Sequence, residues 1–164
     1  MTLYDDAEIN RIEKMKKTNE TLEKFFEEKR SQWSSNLSPL FETIKTQFTL
    51  NNAPKIIEVQ SLALSYRQSL SEEISLFMNK RSKEVIKIKK IKQDKFVFYA
   101  TGFGLKTNLG EKTLLIDAHI AEYTRNTELI ETHIEFLRSC IKNLETLGFT
   151  IKNIIELHNY LAGK

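Results

Sequence analysis

The sequence predicts an all-α protein that is elongated and built from two long helices with shorter capping helices. Three observations lead to this prediction. Glycine and proline are scarce, with 5 and 2 among 164 residues, whereas a β-rich fold needs many turns. Charged residues make up 29% of the chain and stand among leucines and isoleucines, as is typical of helices. Apolar residues recur at alternating spacings of three and four, which indicates helices that pack along coiled-coil-like seams.

The first helix is predicted over residues 5–33. Its seam has Asn19 inside it and consists of Ile12, Met15, Asn19, Leu22, Phe26, Lys29 and Trp33. Residues 34–39 are expected to break this helix. Ser38 is then predicted as the N-cap and Pro39 as the first residue of a short second helix, which ends near residues 51–54.

A long helix is predicted from Pro54 onward, because about 45 residues follow without glycine or proline before Gly102. At 1.5 Å per residue this helix would span roughly 65–70 Å. A small globule does not cover such a length, so a partner helix or an oligomer is expected. Beyond Lys92 helix and strand both remain open, because Ile86 and Ile88 alternate with lysines as in a strand.

A second long helix is predicted over residues 112–147, with Gly148 as its C-cap and Thr150 as the N-cap of a last helix. The last helix is expected to bury Ile151, Ile154, Ile155 and Leu161. The apolar stripe of the long helix is longer than one small monomer can cover, so we expect it to mediate self-assembly. The predicted oligomerisation residues are Ile130, Ile134, Leu137, Ile141, Leu144, Ile154 and Ile155.

Positive charge is concentrated in residues 80–95. This segment has eight Lys or Arg and two acids, a net charge of +6, whereas the whole chain carries +3. Four lysines project opposite the apolar side of the long helix and are named here the lysine row: Lys80, Lys83, Lys87 and Lys90. A solvated face is the ordinary interpretation of such a row. Glu84 is expected nearer the apolar side, and a row with almost no acidic neighbours also attracts polyanions such as the phosphates of nucleic acid.

Two features of the same segment favour single-stranded nucleic acid. Lys92 and Lys95 fall inside the apolar stripe, where buried ammonium groups need partners or an open site. Aromatic rings follow, and bases stack on rings while phosphates follow the cations. Phe96 and Tyr99 are expected in the core. The candidate DNA-binding residues are Lys80, Lys83, Lys87, Lys89, Lys90, Lys92, Lys95, Phe98 and Phe103.

Signals of catalysis are absent from the sequence. The glycines of residues 102–110 lack phosphate-loop spacing. The three histidines lack metal-ligand spacing and are expected at the surface, and Cys140 is expected to be a buried, inert thiol. We therefore expect no enzyme, no catalytic residue, no metal and no cofactor. Because neither a signal peptide nor an apolar run of membrane-spanning length is found, a soluble intracellular protein is expected.

Residues 148–164, GFTIKNIIELHNYLAGK, resemble the C-terminus of the UvsY-type recombination mediators of tailed phages. That family ends in G-F-x-I-K-x-I and a terminal A-G-K. The similarity extends upstream through Phe136–Cys140 and the aromatic-then-glycine element Phe98–Gly102, and covers residues 37–164. Residues 1–36 have no counterpart in the family.

The resemblance implies a non-enzymatic protein of phage recombination in the cytoplasm of the infected bacterium. Members of the family bind single-stranded DNA as ring-like homo-oligomers, destabilise the phage single-strand-binding protein and help to load the UvsX recombinase. Carried onto this chain, DNA binding falls near Lys92 and Lys95, and oligomerisation falls on the C-terminal helices. The implied domains are an N-terminal helical extension, 1–36, dispensable for DNA binding, and a UvsY-like domain, 37–164.

A different class of protein remains open as the alternative. The chain could be a helical scaffold or tether whose lysine-rich helix contacts an anionic membrane or an acidic partner. The membrane version is disfavoured because the lysine row lacks the bulky apolar residues that would insert into lipid.

Overall fold

The structure is a computed structural model that describes residues 6–47, 52–101 and 108–163. These residues form three helices and no strand: α1, Asp6–Gln47; α2, Ala53–Thr101; and α3, Leu109–Leu161. The all-α prediction is confirmed. The prediction of two long helices with shorter capping helices is wrong, because the three helices contain 42, 49 and 53 residues. Between Lys92 and Thr101, where the sequence left helix and strand open, the chain is helical.

α1 continues through Pro39, so the predicted break over residues 34–39 is wrong. A proline inside a helix costs about 3 kcal/mol, because it removes a hydrogen bond and its ring presses on the preceding turn. Leu37, Leu40 and Ile44 surround Pro39 in sequence, and all three are buried. Burying each of these side chains contributes about 1.5–3 kcal/mol. Continuing the helix therefore outweighs the local preference for a break.

α3 likewise continues through Gly148, where a C-cap was predicted. A C-cap glycine adopts a positive φ, and among the described residues only Gly163 does so, at 68°. Leu147 and Ile151 lie on either side of Gly148 and are both buried, and the continuous helix keeps them one turn apart on the same face. Thr150 is not an N-cap, because its hydroxyl donates to the carbonyl one turn back, 2.9 Å away. Both predicted caps are wrong.

α3 begins with a capping box, three residues earlier than predicted. The backbone N–H of Glu111 donates to Asn108 Oδ1 at 2.9 Å, and the backbone N–H of Asn108 donates to Glu111 Oε2 at 3.1 Å. This reciprocal pair satisfies two of the amides that a helix start leaves without partners.

The chain divides into two compact units, each made from segments of all three helices. The first unit comprises Met1–Phe26 and Phe77–Thr132, and the second comprises Glu27–Leu76 and His133–Lys164. The boundary predicted between residues 36 and 37 lies inside α1. The predicted domains were defined by their expected functions and not by compactness, and those functions stay a prediction.

In the first unit, α1 and α3 run parallel to each other and antiparallel to α2. The side-chain contacts that define this arrangement join Glu8 to His119 and Lys95, Glu23 to Arg125, and Phe26 to Phe77. The core also holds a polar group, because Asn19 is fully buried, in agreement with its predicted place in the seam. Its amide donates to Glu122, and Asn126 on α3 donates to its carbonyl oxygen at 2.8 Å.

In the second unit, a buried polar chain lies among apolar side chains. Trp33 packs edge-on against Tyr66, with ring centroids 5.9 Å apart, and its indole N–H donates to Glu73 at 3.0 Å. The other oxygen of Glu73 lies 3.4 Å from Nε2 of His133, which is fully buried. Burial lowers the pKa of His133, and the nearby charges of Arg30 and Lys29 lower it further, whereas Glu73 raises it. The prediction that His133 is a surface histidine is wrong.

Cys140 belongs to the core of the same unit. The thiol is buried, as predicted. Burial raises its pKa, which disfavours the reactive thiolate.

Candidate nucleic-acid interface

The lysine row lies on α2 within the first unit, and all four of its side chains are exposed. Their spacings of 3, 4 and 3 keep them on one face as long as the helix is unbroken, and α2 is unbroken over this segment. Lys89 and Lys92 are also exposed, on neighbouring faces. The structure therefore brings the basic segment together as one charged region of one helix.

The charges of this region are only partly neutralised. Glu84 was expected nearer the apolar side, but Lys87 forms an ion pair with it at 2.7 Å. Four lysines of residues 80–95 pair with no carboxylate in the described part of the chain and are named here the unpaired lysines: Lys80, Lys83, Lys89 and Lys90. Soluble helices ordinarily intersperse both signs of charge. The unpaired lysines leave positive charge available to an external anion.

Lys92 and Lys95 find partners on the two neighbouring helices. Lys92 is half exposed and lies 3.7 Å from Asp117 on α3, whereas Lys95 is about four-fifths buried and pairs with Glu8 on α1. These carboxylates explain how lysines are accommodated in the apolar stripe. Because both ammonium groups already pair with carboxylates, we expect these two lysines to bind phosphate more weakly than the unpaired lysines. Their DNA-binding role stays a prediction.

The aromatic candidates differ in exposure. Phe98 is 43% exposed, with Lys95 Nζ 5.5 Å from its ring centroid and Tyr99 packed edge-on at 5.3 Å. Tyr99 is buried, as predicted, but the expectation that Phe96 lies in the core is wrong, since it is 48% exposed. Phe103 lies outside the described residues. Phe98 is thus the described aromatic candidate that combines an accessible ring with a neighbouring cation.

A buried chain of polar groups that the sequence did not indicate supports this end of α2. Tyr99 Oη and His119 Nε2 lie 2.6 Å apart, and His119 Nδ1 lies 3.2 Å from Glu8. His119 is buried, so its predicted surface position is wrong. Burial lowers the pKa of His119 and Lys95 lowers it further, whereas Glu8 raises it. Burial therefore favours the neutral form of the imidazole.

Most of the predicted oligomerisation residues are covered by their own chain. Ile130 lies in the core of the first unit, and Ile134, Leu137 and Leu144 lie in the core of the second. Ile141 and Ile154 are half-buried, and Ile155 is 37% exposed. Their role in assembly stays a prediction, and only the half-buried and exposed ones offer surface to a partner.

The C-terminal part of α3 leaves other apolar side chains exposed. Ile151 is buried as predicted, but the prediction that Leu161 is buried is wrong. The strongly exposed apolar residues of this part are Phe149, Leu157, Tyr160 and Leu161. With the helical period of about 3.6 residues, Phe149 and Tyr160 lie on the helix face opposite Ile151, and the position of Phe149 follows only when the helix continues through Gly148.

In residues 6–47, 52–101 and 108–163, no three His, Cys, Asp or Glu side chains come together as metal ligands would. None of the three helices, as far as they are described, combines the length and apolarity needed to cross a bilayer.

No family model, curated protein or solved structure matches the chain. The unpaired lysines and the exposed ring of Phe98 beside Lys95 are the structural observations that support a nucleic-acid interface. The sequence pattern of residues 148–164 is a separate line of support.

Proposed function

We propose that this protein is a non-enzymatic recombination mediator. It binds single-stranded DNA and helps to load a UvsX-type recombinase onto strands covered by the phage single-strand-binding protein. The observation that carries the DNA-binding part is the exposed set of unpaired lysines on α2. The mediator role is supported by the resemblance of residues 148–164 to the UvsY-type C-terminus.

The binding mode follows from the chemistry of the exposed groups. Ammonium groups contact phosphates irrespective of base sequence and release condensed counterions, so affinity falls steeply with salt. Phe98 adds a ring on which a base can stack, and stacking is tolerant of sequence. The result is a surface that takes any single strand, as a protein acting on many DNA sequences requires.

The proposed assembly is a ring-like homo-oligomer. Its support is the set of exposed apolar residues near the end of α3, from Phe149 to Leu161, which a second copy would cover. Each subunit repeats the basic surface of α2, so individually weak phosphate contacts add up along one strand. Outside residues 80–95 the chain carries a net charge of −3, which leaves other surfaces for the recombinase and the single-strand-binding protein.

The second candidate function is a tether that contacts an anionic membrane. One observation favours it: Ile86 is 64% exposed, one helical turn from both Lys83 and Lys90. Val97 on the same helix is 59% exposed. A basic helix that also presents apolar side chains is able to lie at a lipid surface.

Binding to oligo(dT) and to anionic liposomes, each measured over a salt series, separates the two functions. A mediator binds oligo(dT) with an affinity that falls as salt rises, and light scattering shows the oligomer on the DNA. Binding to liposomes without binding to oligo(dT) would overturn the proposal in favour of the tether.

A further inference from the structure

A groove in the first unit brings lysines of two helices together. Its volume is about 560 Å³. α1 contributes Lys14 and Lys17 and α2 contributes Lys80. The rest of the lining consists of Thr18, Thr21, Leu22 and Phe25. All of the α1 residues precede the point at which the sequence resemblance begins.

The lining contains three ammonium groups and no acid. Among the described residues neither Lys14 nor Lys17 forms an ion pair, and Lys80 is one of the unpaired lysines. Four other grooves each include at least one carboxylate. A concave surface with cations and no carboxylate attracts a chain of negative charges.

The threonine hydroxyls add no hydrogen-bond donors to the groove. Thr18 donates to the carbonyl of Lys14 at 2.9 Å, and Thr21 donates to the carbonyl of Lys17 at 3.0 Å. Because both hydroxyl protons serve the helix backbone, the hydrogen bonds offered into the groove come from the lysines.

Phe25 supplies a ring beside the cations. It is 41% exposed, and its ring centroid lies 5.7 Å from that of Phe26, which is fully buried in the core. The contact with Phe26 holds the ring in place while part of its surface stays accessible. Cations next to an accessible ring suit a single strand, whose phosphates follow the charges while a base meets the ring.

We infer that this groove is a second binding site for single-stranded nucleic acid, with phosphates on Lys14, Lys17 and Lys80 and a base against Phe25. The inference rests on the proposed function and extends it, because Lys80 belongs both to the groove and to the lysine row. The N-terminal helix is then part of the binding surface and not a dispensable extension.

Deleting residues 1–36 does not test this inference. The deletion would remove Asn19 and Phe26, both fully buried, so a loss of binding would report a damaged core. Point variants on the exposed side of α1 keep the fold.

The test compares two double variants of the full chain. Lys14→Ala with Lys17→Ala removes two charges from the groove. Lys16→Ala with Lys24→Ala removes two charges from exposed positions of the same helix outside the groove lining, and is the matched control. Affinity for oligo(dT) is measured from about 50 to 200 mM salt, and thermal melts show that both variants remain folded.

The groove variant should lower the salt slope by about 1.4, because each phosphate contact with a single strand contributes about 0.7. Between 50 and 200 mM salt the wild type should then lose about sevenfold more affinity than the groove variant. The control should keep the wild-type slope. Equal salt slopes in the two variants would refute DNA binding in the groove but would leave the proposed function intact. No binding of oligo(dT) by the wild type would overturn the proposed function itself.

Two further arms identify the occupant. Phe25→Leu should weaken oligo(dT) binding about 5- to 150-fold and leave binding of an abasic strand of the same length unchanged. An equal loss for both strands would overturn the contact between the ring and a base. Tighter binding of polyglutamate than of oligo(dT), lost in the groove variant, would overturn nucleic acid as the occupant in favour of an acidic protein.

Discussion

Replacing Asn19 by leucine should destabilise the protein by about 2 kcal/mol. In the wild type the amide of Asn126, which is buried, donates to Asn19 Oδ1 at 2.8 Å. The variant leaves this amide without an acceptor, which costs about 1–3 kcal/mol. It also removes two hydrogen bonds donated to Glu122, at 2.7 and 3.0 Å, each worth about 1 kcal/mol. Burying leucine returns about 1.5–3 kcal/mol. Urea unfolding, monitored by circular dichroism, measures the difference.

A double-mutant cycle tests the contact itself. Asn126→Ala alone leaves the oxygen of Asn19 without its donor, at a similar cost. Asn19→Leu with Asn126→Ala removes both partners while roughly keeping the total volume, so the double variant should be about 2 kcal/mol more stable than the sum of the single effects implies. Effects that add within about 0.5 kcal/mol would refute the pairing of α1 with α3 at these residues.

Two further predictions concern buried histidines and a helical glycine. Burial lowers the pKa of His119 and His133, so the unfolded chain binds protons near pH 6.5 that the folded chain does not. The free energy of unfolding should be highest above that pH and should fall below it by up to about 1.4 kcal/mol per pH unit for each histidine. Urea unfolding between about pH 7.5 and 5.5 measures this free energy. A stability that does not change with pH would contradict the prediction. Gly148→Ala should raise the free energy of unfolding by about 0.5–1 kcal/mol, because a Cβ there meets nothing within 4 Å. A loss of stability would argue against helical backbone at residue 148.

Periodicity predicted the helices well where no local breaker interrupts them. The helix beginning at Pro54 and ending before Gly102 agrees with α2 almost to the residue. The predictions failed at Pro39 and Gly148, where local preference and burial oppose each other. The sequence shows the local preference, but the number of neighbours buried on either side depends on the tertiary packing of the whole unit.

The candidate interface likewise has features that the sequence predicts and features that it does not. That the lysine row shares one exposed face follows from helical spacing alone. The pairing of Lys95 with Glu8 joins residues far apart in sequence, and no periodicity reveals such a partner. The groove was missed for the same reason, because Lys14 and Lys80 come together only when α1 packs beside α2.

The proposed DNA binding depends on the unpaired lysines of α2 as the groups that hold the phosphates of a single strand. Lys83→Ala with Lys90→Ala removes two of them from exposed positions, where substitutions leave stability nearly unchanged. The direct measurement is oligo(dT) affinity against salt for this variant, the wild type and the Lys16→Ala with Lys24→Ala control. We predict a slope lower by about 1.4 in the variant alone. A wild-type slope in the variant would contradict the claim and show that these lysines form only a solvated face.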